Sequence, residues 1–119
     1  MSERVRQSTD ERAKLVVISI SMPSNKTSPV FFYAYVLHSF KDGHNYIGYT
    51  NHLKKRLQEH WKGESFATKG RLPLKLIYFE ASLNQEDAKQ RENYLKTTNG
   101  RRFLAKRLKH YRAKNVWHL

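Results

Sequence analysis

The sequence predicts a small α+β domain, and three observations predict it. An aromatic and β-branched run from Phe31 to His38 is followed by Asp42-Gly43 and a second such run, Asn45 to Thr50. A helical stripe, Leu53, Leu57 and Trp61, comes next at a spacing of four. A further apolar run, Leu74 to Ala81, then precedes two more helical patterns.

The chain has 119 residues, room for one domain. Residues 1–29 are polar and mixed in charge around a short apolar piece, Leu15 to Ile20. They end in Ser21-Met22-Pro23-Ser24-Asn25-Lys26-Thr27-Ser28-Pro29, which reads as a linker. This segment is expected to be a flexible N-terminal extension, with Met22 an alternative start. The folded domain is expected over 30–112, with 113–119 a C-terminal tail.

Within the domain, Lys41-Asp42-Gly43-His44 supplies the hairpin turn. Side chains alternate along strands, so Tyr35 and Tyr46 share a face if the connecting loop has an even number of residues. A two-residue Asp-Gly turn favours that parity. Gly48 lies inside the return strand, where a missing side chain marks a bulge or a close approach. Thr50 or Asn51 is expected to cap the first helix, which runs to Lys62 and stops before Gly63. Arg56 and His60 lie one turn apart on the edge of its apolar stripe and should lean toward the sheet. Gly63 to Pro73 reads as a flexible basic loop. Leu74 to Ala81 shows little polar alternation and is expected to be central, covered on both faces. Asn84, with Asp87 three residues on, caps a helix to Lys96. Asn99-Gly100 is expected to separate it from a last helix, Arg101 to Tyr111, with Phe103, Leu104, Leu108 and Tyr111 inward.

Composition narrows the chemistry. There is no cysteine, so disulfides, thiolate zinc sites and thiol catalysis are excluded. No apolar run approaches the roughly 18 residues needed to span a membrane, and the expected setting is cytoplasmic. The formal charge is +13, from 23 basic and 10 acidic residues. Lys96, Arg101, Arg102, Lys106, Arg107, Lys109, Arg112 and Lys114 all follow Glu92, with no acidic residue after it. That layout points to a polyanionic partner, nucleic acid above all. His38, His44, His52 and His60 have no zinc-ligand spacing.

Four residue types carry the functional reading. Glu92 falls on the helix face of Ala88 and Leu95. A carboxylate there needs a partner, either a salt bridge to Arg91 or Arg56 or a divalent cation. Arg56 is either a solvated cation or a guanidinium gripping phosphate oxygens. His60, one turn on, is either packed or a proton carrier. Tyr35 and Tyr46 are ordinary strand residues taken singly, since a phenol is a weak base at neutral pH. Taken together they are the side chains that phosphodiester hydrolysis requires.

These residues resemble the GIY-YIG nuclease family. Tyr33-Ala34-Tyr35 stands at the first triplet, keeping only its tyrosine, and Tyr46-Ile47-Gly48 is the second triplet intact. Asn51 to His60 resembles the arginine helix, Thr68-Lys69-Gly70 and Pro73 the loop after it, and Ala88 to Lys96 the glutamate helix. The likeness covers Val30 to Leu108 and is to small, single-domain bacterial members. It implies a three-stranded antiparallel sheet flanked by helices, and one-metal hydrolysis of DNA with Mg2+ or Mn2+. It implies Tyr35 as general base, Arg56 on the scissile phosphate, Tyr46 and His60 in support, and Glu92 as the sole protein ligand of the metal. Asn99 matches the family's asparagine too poorly in spacing to carry its role. Lys54, Lys55, Lys69, Arg71, Lys96, Arg101 and Arg102 are the expected nucleic-acid contacts. The same charge would serve RNA as well as DNA, and a binding module that keeps the fold without cutting is the alternative. These residues offer no recognition helix, zinc finger or second domain to read bases, so little sequence specificity is expected. Oligomeric state is not written in the sequence.

Overall fold

The computed structural model describes residues 29–115. The readings made for residues 1–28 and 116–119 lie outside the described residues. In chain order the elements are β1 (Phe32–Ser39), β2 (Asn45–Thr50), α1 (Leu53–Trp61), a 3-10 turn (Lys69–Arg71), β3 (Leu74–Ser82), α2 (Gln85–Leu95), α3 (Thr98–Arg107) and α4 (Lys109–Asn115). The sheet is three-stranded and antiparallel in the order β2-β1-β3. Helices flank it, as the family likeness implies. Residues 113–115, assigned to the tail from sequence, end α4. Among the described residues no helix is long and apolar enough to cross a membrane.

β1 is the central strand. Its residues from Ala34 to Ser39 are all buried, so both faces are covered. The expectation that Leu74 to Ala81 is central is therefore corrected: β3 is an edge strand with exposed positions at Lys75, Phe79 and Ala81. Its apolar stretch Leu76 to Phe79 has a local cause. The β1–β3 register shifts between Val36 and Leu37, pairing Val36 with Tyr78 and Leu37 with Leu76. Ile77 is the extra residue, and a bulge of this kind breaks strict alternation. Ile77 and Tyr78 can both therefore pack on the main apolar core. That core joins Ala34 and Val36 of the sheet to Leu95 of α2 and Leu104 of α3. Truncating either leucine to alanine costs about 2–5 kcal/mol.

The helix ends follow capping chemistry, with two corrections. Asn84 caps α2 as expected, its side chain accepting from the Glu86 and Asp87 amides. Neither Thr50 nor Asn51 caps α1. His52 holds the cap position without a side-chain bond, and Thr50 Oγ1 instead accepts from the His52 amide at 3.0 Å. Asn99-Gly100 does not separate helices, because Thr97 caps α3 through the Gly100 amide and places both residues in its first turn. Gly100 is required there for another reason. A Cβ at this position would collide with the Tyr94 carbonyl and the Leu95 Cα, so only glycine lets α3 start against the end of α2.

Candidate active site

The hairpin sets the first two side chains. Ser39 and His44 close it through a backbone bond of 2.9 Å, and the loop runs from Phe40 to Gly43, with Gly43 at φ +74°. The loop is longer than the expected two-residue turn, but its parity is the same. Tyr35 pairs with Gly48 and Leu37 with Tyr46. Cross-strand partners share a face, so Tyr35, Tyr46 and Gly48 lie together. A Cβ on Gly48 would sit 2.5 Å from both Cζ and the hydroxyl oxygen of Tyr35. The glycine of the second triplet is thus the floor on which the Tyr35 ring rests.

Helix α1 covers this face. Its one fully buried residue is His60, whereas Trp61, the expected end of the apolar stripe, is 43% exposed. The Tyr35 hydroxyl lies 2.8 Å from His60 Nε2, and His60 Nδ1 lies 2.7 Å from Thr68 Oγ1. Tyr35, His60 and Thr68 are completely buried. The Tyr46 ring stands 5.4 Å from the imidazole and 6.3 Å from the Tyr35 ring. Burial, and secondarily the charge of Arg56, lowers the His60 pKa to about 4. The imidazole is therefore neutral at pH 7, with one nitrogen donating and the other accepting. Burial pushes Tyr35 up to about 12. Arg56 opposes that rise, while Tyr46 and the Glu92 carboxylate add to it.

Arg56 projects from the same helix. Its Nη1 donates to Glu59 Oε1 at 2.8 Å and its Nη2 to Ser65 Oγ at 3.2 Å. The Glu59 carboxylate holds the guanidinium firmly charged. The loop after α1, expected to be flexible, is pinned along its length. Thr68 is held by His60, Ser65 by Arg56, and the Arg71 carbonyl accepts from Ser39 Oγ at 2.7 Å. The Phe40 amide donates to the Pro73 carbonyl at 2.9 Å.

Glu92 approaches from the opposite layer. Its helix, α2, buries Ala88 and Leu95 as expected, and Leu95 packs with Ala34 and Val36. These sheet residues alternate with Tyr35. Neither expected ion pair forms. Arg91 makes a two-pronged pair with Glu80, 2.8 and 2.7 Å, and lies over the Tyr94 and Phe103 rings. Glu92 instead meets Lys96 at 3.0 Å, one turn along α2. Tyr35, Tyr46 and His60 are thus in mutual contact, with Arg56 beside them. Glu92 acts on Tyr35 through its charge.

The expected nucleic-acid contacts divide. Lys54, Lys55, Lys69, Lys96, Arg101 and Arg102 are exposed, with Lys69 lying over the Phe66 ring. Arg71 is engaged: its Nε meets Asp42 at 2.8 Å and ties the loop to the hairpin. Thr68, Ser65 and Glu59 are site residues that sequence reasoning missed. Glu59 left a signal in its spacing of three from Arg56, and Thr68 left one in the Thr68-Lys69-Gly70 likeness to the family's loop.

No group of three or more metal-ligating side chains occurs among the described residues. A lone carboxylate does fit Mg2+ or Mn2+, because such ions are held through one or two carboxylates with water and substrate phosphate completing the shell. Glu92, one-fifth exposed and paired among the described residues with Lys96 at the end of α2, fits that role.

A three-stranded antiparallel sheet with a phenol pair, an imidazole and a guanidinium on one face and a strongly basic exterior defines a nuclease-type α+β domain. The model of the GIY-YIG catalytic domain matches residues 31–108, and the chain belongs to the GIY-YIG family. A UPF0213 protein of Clostridium perfringens is 45% identical over 65 residues, 54% of this chain and 69% of that protein. One from Bacillus licheniformis is 46% identical over 65 residues, 54% of this chain and 66% of its own length. The chain therefore spans about two thirds of these relatives. The solution NMR structure of a UPF0213 protein from Bacillus halodurans is 30% identical, covers 64% of this chain and 83% of that one, and superposes with a TM-score of 0.42.

Proposed function

We propose that the protein is a metal-dependent endonuclease that hydrolyses DNA phosphodiester bonds with Tyr35 as general base. The observation that carries this reading is the buried chain from the Tyr35 hydroxyl through His60 to Thr68, beside the Arg56 guanidinium. A phenol that holds its proton at neutral pH cannot act as a base unaided. When Thr68 Oγ1 accepts from His60 Nδ1–H, Nε2 is an open acceptor for the Tyr35 proton. Tyr35 then takes a proton from the attacking water as it passes its own to His60. Water's oxygen bonds to phosphorus, one ester P–O bond breaks, and the leaving alkoxide is protonated by solvent. Arg56, held by Glu59 and Ser65, faces the charge that grows on the non-bridging oxygens. Tyr46 packs against the imidazole and fixes its plane. A Mg2+ or Mn2+ ion held by Glu92 would supply further neutralisation of phosphate charge. The exposed lysines and arginines supply sequence-independent affinity for the backbone.

The alternative is a binding module that keeps the fold and does not cut. It draws support from the two key charges being already paired, Arg56 with Glu59 and Glu92 with Lys96. The test is incubation with plasmid, branched and single-stranded DNA, and with RNA, in Mg2+ or Mn2+, beside Glu92→Ala and Tyr35→Phe. Cutting by the native protein that both variants lack is expected. Salt-sensitive binding by all three with no cutting by any would establish the module instead.

A further inference from the structure

A cavity lies on the side of the sheet away from His60. It has a volume of about 760 Å3 and opens between the hairpin end of β2 and the helices α2, α3 and α4. Its floor is apolar, formed by Ile47, Leu95, Leu104 and Leu108. Its rim is cationic, carrying Lys96, Arg101 and Arg112. No carboxylate lines it among the described residues, and no described carboxylate pairs with Arg101 or Arg112. An apolar floor under several positive charges suits a planar ring carrying a phosphate, and the volume lies in the range of small-ligand sites, about 300–1,000 Å3. The cavity also adjoins the catalytic groups. Tyr46 lines it, and Lys96 on its rim is the ion-pair partner of Glu92.

We infer that this cavity is a nucleotide subsite. It takes one unpaired nucleotide of the substrate strand, base on the leucine-rich floor and phosphate between Arg101 and Arg112. The inference rests on the nuclease reading and gives it a substrate class: strands with at least one unstacked base near the cut, such as single strands, flaps or branch points. A fully paired duplex would have to extrude a base, which costs a few kcal/mol.

The test is an NMR titration of the full chain with thymidine 5′-monophosphate in metal-free buffer with chelator, with thymidine and inorganic phosphate as controls. The expected result is saturable shifts at Ile47, Leu104 and Leu108, with binding at least tenfold weaker for either control. Arg112→Glu should weaken binding at least tenfold. Ala105→Trp, which fills the cavity from an exposed position, should abolish it while leaving the spectrum of the sheet unchanged. Three results would overturn the inference. Shifts confined to exposed lysines elsewhere, an Ala105→Trp protein that binds like the native one, or contacts in the free protein showing the cavity filled by residues 116–119 or by a second copy would each do so. Because the readout needs no cutting, the outcomes separate. Nucleotide in the cavity without nuclease activity defeats only the nuclease reading, and cutting without nucleotide in the cavity defeats only the subsite.

Discussion

His60 gives the protein a specific acid sensitivity. The imidazole's pKa falls from 6.5 to about 4 on folding, because burial disfavours the charged form and Arg56 adds repulsion. Between those values the unfolded chain binds the proton that the folded protein refuses. Stability from this group is therefore complete above pH 6.5, is lost as pH falls toward 4, and changes no further below it. One pKa unit corresponds to about 1.4 kcal/mol, so the whole effect is about 3 kcal/mol, of which about 2 kcal/mol falls between pH 7 and 4.5. Asp42, Glu59 and Glu80 have lowered pKa values, so their contributions fade only at lower pH and leave this window to histidine.

The comparison is with His60→Gln, which keeps a polar side chain and cannot titrate. The other histidines are common to both proteins and subtract. Urea unfolding at pH 7 and pH 4.5 reads the difference. With a slope of about 1–2 kcal/mol per molar for a domain this size, the native midpoint should fall by about 1–2 M more than the variant's. Equal falls in the two proteins would mean that His60 titrates as in water. The burial and Arg56 repulsion argued to hold this imidazole neutral down to about pH 4 would then be refuted.

Two further perturbations test the site. Gly48→Ala places a methyl 2.5 Å from the Tyr35 hydroxyl and Cζ, so the ring must move; a loss of about 1–3 kcal/mol is expected by urea titration, with plasmid nicking down at least tenfold. Thr68→Val removes the hydroxyl from His60 Nδ1 at nearly constant volume. Nicking should slow about tenfold with an altered pH–rate profile, and Thr68→Ser should restore both; an unchanged profile would make Thr68 a packing residue only.

Much of the fold was legible because local rules and tertiary contacts agree. The β2 bounds, the Asn84 cap, and the Ala88–Leu95 face of α2 follow from turn chemistry, capping and helical spacing. The errors share a cause, which is that they depend on partners far along the chain. The place of β3 at the edge is decided by pairing with Phe32 to Ser39, and a bulge at Ile77 erased the alternation that would have revealed it. Gly100 looked like a helix break, yet it serves the approach of α3 to Tyr94 and Leu95. At the site, Gly48 advertised a close approach and Tyr35 makes it. Thr68 was legible only as part of the family-like loop, not as the partner of His60. It sits in a loop without periodicity, and its meaning comes from His60 closing on it across the α1 turn.

Two buried hydroxyl systems in this protein invite comparison. Ser39 is buried beneath the hairpin, and its oxygen accepts from the Lys41 and Asp42 amides while donating to the Arg71 carbonyl. Every capacity of that hydroxyl is used to close a turn, and the fold alone explains it. The Tyr35–His60–Thr68 chain is different. Three polar side chains occupy a fully buried position where Phe, Leu and Val would fill similar space without desolvating a polar atom. The chain closes no turn on the Tyr35 side, and beyond its bond to His60 the Tyr35 oxygen also meets the Arg56 guanidinium. It ends against Arg56, a cation in turn held by Glu59 and Ser65 rather than left to solvent. A polar chain that costs stability in acid and ends against a held positive charge is the arrangement that the proposed proton transfer at an anionic substrate calls for. That is the work the proposed reading assigns to it.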